Sequence, residues 1–152
     1  MTAPDLPTPD DVVITRETGL AISADELWAL VGQGEHWSEW LVDEADIHVS
    51  EGANGTVTID GEHRLVTVRR VREGEHLQFE WWGDDAPRTT VDLEVMPAGR
   101  GSVLRVSERL SAPPSASMSA TTANAAPQAR RARAWDLRLL VLCLQTAALV
   151  RT

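Results

Sequence analysis

A chain of 152 residues with 43% hydrophobic and 24% charged content is suited to one globular domain with a hydrophobic core. Its formal net charge of −9 argues against nucleic acid or an anionic membrane as the main partner, because both require a dense basic surface. The single cysteine, Cys143, rules out an intrachain disulfide, and no apolar run approaches the roughly 18 residues of a membrane span.

Residues 1–10, "MTAPDLPTPD", are acidic and proline-rich, without the basic and apolar regions of a signal peptide. They read as a disordered tail before a single domain over 11–152, and a cytoplasmic location is expected. Asp11 to Thr18 is β-branched and predicts a first strand. Ser23-Ala-Asp-Glu26 is a capping box, in which hydroxyl and carboxylate each satisfy the other residue's amide. A short helix should follow over Asp25 to Val31 and stop at Gly32-Gln-Gly34. A second short helix is expected around "EHWSEWL".

Strand signals then dominate. "EADIHVS" alternates Ala45, Ile47 and Val49, and "GTVTID" alternates Val57 and Ile59. "RLVTVRRV" is followed by the turn Glu73-Gly-Glu75 and then by "HLQFEWW". "TTVDLEVM" places Val91, Leu93 and Val95 on one face, and "PAGRG" turns the chain into "SVLRVSERL". Short alternating segments bounded by turn residues predict an antiparallel meander of about six or seven strands. Residues 111–127, "SAPPSASMSATTANAAP", read as a flexible loop too long for a hairpin connection. A C-terminal helix is expected over 128–150. Arg131, Arg138 and Gln145 would mark its wet stripe; Trp135, Leu139, Leu142, Thr146 and Leu149 lie opposite. Leu140, Val141, Cys143 and Leu144 widen the apolar face, which must therefore be mostly covered. Segregated strands and helices give an α+β class, and a bent antiparallel sheet has only this helix to bury its inner face on.

Several segments in this order resemble the START/Bet v 1-like (SRPBCC) superfamily, and within it the bacterial proteins related to the activator of Hsp90 ATPase. They are "LAISADELWALV", "HWSEWL", "RRVREGEHLQFEWW", "GSVLRVSERL" and "RARAWDLRLLVLCLQ", together covering roughly residues 11–150. The sequence departs from that pattern at "SAPPSASMS" after the last strand, and at Ala134, where a glycine is usual before Trp135. The resemblance implies a helix-grip fold: a curved sheet wrapped around the long C-terminal helix, enclosing a pocket for hydrophobic small molecules. Such folds serve lipid carriers, hormone binders, polyketide cyclases and co-chaperone-like proteins, so fold does not choose the function.

Signals for bond-making chemistry are sparse. Gly32-Gln-Gly34 lacks the strand and long helix of a phosphate loop. His36, His48, His63 and His76 have no ligand spacing, so neither a metal nor a cofactor is expected. Asn54-Gly-Thr56 reads as a turn between strands. Cys143 reads as a small core residue. Glu108 is the exception. Alternation with Leu104 and Val106 carries its carboxylate inward, where it could orient a ligand or act as an acid or base. The alternative is a strand-end residue reaching solvent, or one paired with Arg64 or Arg70.

The six tryptophans supply nearly all the aromatic surface. Trp28 and Trp135 read as packing residues; Trp37 and Trp40, three apart, can share one face of the second helix. Trp81 continues the inner row of Leu77 and Phe79, leaving Trp82 outside, to be covered by the N-terminal segment or a partner chain. The expected ligand-binding set is thus Trp37, Trp40, Phe79, Trp81, Val91, Leu93, Leu104, Val106, Glu108, Trp135, Leu139 and Leu142. Arg130, Arg131, Arg133 and Arg138 read as a solvated helix face, part of which could meet an acidic partner. Three functions compete: binding of a hydrophobic small molecule without chemistry, a polyketide cyclase or dehydratase using Glu108, and a chaperone-associated interaction module. A protein partner or homodimer is compatible with each.

Overall fold

The computed structural model describes residues 13–84, 86–111 and 125–150. The expected tail over 1–10 and most of the expected loop over 111–127 lie outside the described residues.

Strand β1 (Ile14–Leu20) leads into α1 (Ala24–Val31), a 3-10 turn (Gly34–His36) and the single-turn α2 (Trp37–Trp40). Six strands follow: β2 (Glu44–Asp46), β3 (Asn54–Ile59), β4 (Glu62–Arg72), β5 (His76–Gly83), β6 (Ala86–Ala98) and β7 (Gly101–Leu110). Helix α3 (Ala125–Val150) closes the order. The sheet has seven strands in the order β1-β7-β6-β5-β4-β3-β2, all antiparallel. This is the expected helix-grip arrangement. Among the described residues no helix is long and apolar enough to cross a membrane.

The capping box forms as predicted: the Ser23 hydroxyl accepts from the Glu26 amide at 3.2 Å, and Glu26 accepts from the Ser23 amide at 3.0 Å. The far end of α1 is closed by tryptophan. Trp40 Nε1 donates to Leu30 O at 3.1 Å and Trp37 Nε1 to Val31 O at 2.9 Å, satisfying carbonyls that the helix itself leaves without partners. Gly34 is buried against β2's continuation. A Cβ there would collide with Ile47 O, so the glycine reflects close backbone approach.

Two local expectations are corrected. Asn54-Gly55 is no turn but the start of β3; the turn lies earlier, at Gly52 with φ 84°. The strand expected over Glu44 to Ser50 ends at Asp46.

Alternation builds the core. Leu77, Phe79 and Trp81 of β5, Val91, Leu93 and Val95 of β6, and Leu104 and Val106 of β7 all face inward and are buried. Trp135, Leu139, Leu142 and Thr146 of α3 meet that face. Trp82 lies outside, as expected, where β5–β6 pairing shifts register between Trp81 and Gly83. Among the described residues Arg88 lies over it, its guanidinium 3.8 Å from the ring centroid, and the N-terminal segment expected to cover it lies outside them.

The outer side of α3 departs from expectation. Leu137, Leu140, Val141 and Leu144 are 61%, 55%, 40% and 64% exposed, so among the described residues nothing covers the widened apolar face. Arg138, assigned to the wet stripe, instead folds back onto the aromatic core. It sits three residues after Trp135, within reach of that ring, and its guanidinium stacks 4.6 Å from the centroid.

Candidate functional site

The inner face becomes polar at one end. There β7 delivers Glu108, 3% exposed, across from Val91 and diagonal to Thr89. The carboxylate collects three donors. Trp81 Nε1 donates to Oε2 at 3.0 Å, Trp135 Nε1 donates to Oε1 at 2.8 Å, and the Thr89 hydroxyl donates to Oε2. Strands β5, β6 and β7 and helix α3 are thus tied to one side chain. Glu108 neither reaches solvent nor pairs with Arg70. A buried carboxylate is tolerable here because both oxygens have partners.

The four inward tryptophans spend their N–H groups on the protein itself, Trp37 and Trp40 on the end of α1, Trp81 and Trp135 on Glu108. The rings of Trp37, Trp81 and Trp135 form a chain of aromatic contacts with Phe79, tilted, edge-on and stacked in turn. Centroids are 5.0 Å apart for Trp37–Phe79, 5.1 Å for Phe79–Trp81 and 6.3 Å for Trp81–Trp135. These four rings lie buried between sheet and helix.

Arg64 and Arg138 flank the cluster. Arg64 faces inward because it continues the row of Val66 and Val68 on β4. Its guanidinium carbon lies 4.9 Å from the Trp81 ring centroid, and that of Arg138 lies 5.4 Å from the same ring. Burial pushes both guanidinium pKa values down, Arg138 to about 10, with the pull of Glu108 opposing the fall. Both remain charged at neutral pH. Sequence reasoning missed this pair as a unit. For Arg64 the signal was present, two residues before Val66 in an alternating strand.

Beside the cluster an open groove of about 420 Å³ runs between α2, the β3–β4 turn and α3. Trp40, Leu41, Val42, Ile59, Leu137 and Val141 supply apolar walls, Glu39, Asp43 and Asp60 an acidic rim, and Arg138 a basic point. The Asp60 amide donates to Asp43 Oδ2 at 2.7 Å, holding that rim. Of the residues expected to bind ligand, Trp40 borders this groove. Trp37, Phe79, Trp81, Val91, Leu93, Leu104, Val106, Glu108, Trp135, Leu139 and Leu142 are buried in the adjoining core. A second concavity, of about 450 Å³, lies on the outer face of β1, β6 and β7. Its charges are paired, Arg16 with Asp136 and Arg105 with Glu17 and Glu94. No group of three or more His, Cys, Asp or Glu residues among those described could hold a metal ion.

No family profile and no curated protein sequence matches the chain. Solved structures do. DynU16, from the dynemicin biosynthetic locus, superposes with a TM-score of 0.70 at 19% identity over 89% of this chain. This chain spans about half of DynU16, 48% of its length. MLL2253 from Mesorhizobium loti gives 0.73 at 20% identity, covering 93% of this chain and 98% of that one. The Aha1 dimer from Colwellia psychrerythraea gives 0.68 at 12% identity, covering 89% and 96%. At these identities the likeness establishes the shared helix-grip fold.

Proposed function

We propose that this chain is an SRPBCC-type binding protein whose ligand is a hydrophobic small molecule, seated in the groove between α2, the β3–β4 turn and α3. The observation that carries the reading is the groove itself: about 420 Å³ of open space with apolar walls, beside the chain of aromatic rings. That volume falls within the range of small-molecule sites. The groove lies at the margin of the sheet–helix interface, because the tryptophans and Phe79 occupy its centre.

Binding is favoured over catalysis by the state of Glu108. An acid or base must reach the substrate, and Glu108 is 3% exposed with three of its roughly four acceptor sites already used within the protein. The sequence also contains no lysine, so covalent catalysis through a lysine amine is not open to it. The cyclase alternative would need the Glu108 cluster to open.

Native mass spectrometry of freshly purified protein tests the reading by seeking a co-purifying ligand. A screen of lipids and aromatic metabolites, read by tryptophan quenching and thermal shift, is the second arm. Val141→Arg, which fills the groove from an exposed helix position, should abolish any shift found. A ligand bound equally well by that variant would move the site elsewhere.

A further inference from the structure

Arg138 lines the groove and shares the Trp81 ring with Arg64, which lies behind the groove's own lining. Arg64 Nε is buried and has no hydrogen-bond partner. Among the described residues, neither Arg64 nor Arg138 forms an ion pair within 4.0 Å, whereas Arg16, Arg69, Arg88, Arg105 and Arg109 all do. Glu108 attracts both arginines, but its hydrogen bonds run to Trp81, Thr89 and Trp135. Asp60 pulls on both arginines, Glu62 on Arg64 and Asp43 on Arg138. These acids are exposed, so water screens them. Arg131 and Arg64 add repulsion, acting on Arg64 and Arg138 respectively.

A desolvated guanidinium donor left without an acceptor, as Arg64 Nε is, is costly. Such a group calls for a partner not yet in place. Resting on the groove-binding reading, we infer that the ligand is an amphiphile: an apolar body along the groove and a singly charged oxyanion, such as a carboxylate, between Arg64 and Arg138. Two guanidiniums against the single carboxylate of Glu108 leave one positive charge, which a monoanion neutralises. The planar guanidinium fork matches two oxygens of one carboxylate, and the faces of Trp81 and Trp135 hold the forks in place.

Two fluorescent probes that differ by the anionic group alone test this: anilinonaphthalene sulfonate and its neutral parent phenylnaphthylamine. On the wild-type protein the sulfonate should bind about tenfold or more tightly than the parent, the ratio expected of one charge-assisted contact. Arg64→Met and Arg138→Met should collapse that ratio toward one. Arg64→Lys and Arg138→Lys, which keep the charge without the fork, should restore part of it. Arg133→Met, on the exposed side of α3, should leave it unchanged. Equal binding of both probes to wild type overturns the anion site and leaves the groove standing. A preference that survives in both methionine variants overturns the assignment to these arginines. Binding of neither probe overturns the groove reading and the inference together. The wild-type ratio and the lysine variants decide the matter if a methionine variant does not fold.

Discussion

The inner face of the sheet has two ends, built by the same alternation and opposite in chemistry. At the first, Leu93, Val95 and Leu104 are buried on the strands that run beneath α1, with Leu77 of β5 paired to Leu93. Only volume and dryness matter there. At the second, Trp81, Thr89 and Glu108 meet Trp135, with Arg64 and Arg138 beside them. Here each donor needs an acceptor. A dry end tolerates exchange among similar hydrophobic residues, whereas the polar end fixes identity, because removing one member strands the others.

The comparison breaks most sharply at Glu108. Glu108→Ala would leave three donors without their acceptor and two cations without their nearest buried counter-charge. A loss of about 4 kcal/mol in urea unfolding is expected, the size found when one partner of a buried charged cluster is removed. A loss under about 1 kcal/mol would mean that water reaches this end. At the dry end, Leu93→Ala should cost about 3 kcal/mol through lost transfer energy and a residual cavity. It should leave binding of the anionic probe relative to its neutral parent unchanged, whereas Glu108→Ala should alter it. Thr89→Val keeps shape and removes one hydroxyl donor, so about 1–2 kcal/mol is expected. Made in the Glu108→Ala background, the same change should cost far less, because its acceptor is already gone. Undiminished cost in the double variant would separate Thr89 from the cluster.

The fold was legible because its signals are local and periodic. The capping box, the alternation of Leu77, Phe79 and Trp81, and the inward row of Leu104, Val106 and Glu108 depend on neighbours in sequence, and each reappears in space. The site was less legible because its bonds join distant segments. Nothing near Glu108 in sequence announces donors from Trp81 and Trp135, each 27 residues away. Arg138 misled for a related reason. A seven-residue repeat with Arg131 and Gln145 looks like a wet stripe, but a long arginine stem can bend over a neighbouring indole and bury its head. The exposure of Leu137, Leu140, Val141 and Leu144 was hidden likewise, since helix periodicity shows which residues share a face and not whether anything lies against it.

Trp81 belongs to a strand and Trp135 to the C-terminal helix, yet their rings stand 6.3 Å apart at an interplanar angle of 27°. Transition dipoles that close exchange excitation, and the sign of the resulting circular dichroism couplet follows the handedness of the pair. With six tryptophans and no tyrosine, near-ultraviolet absorption comes almost wholly from indole. The seating of the helix on the sheet therefore carries its own optical signature, one that weakens whenever the helix lifts.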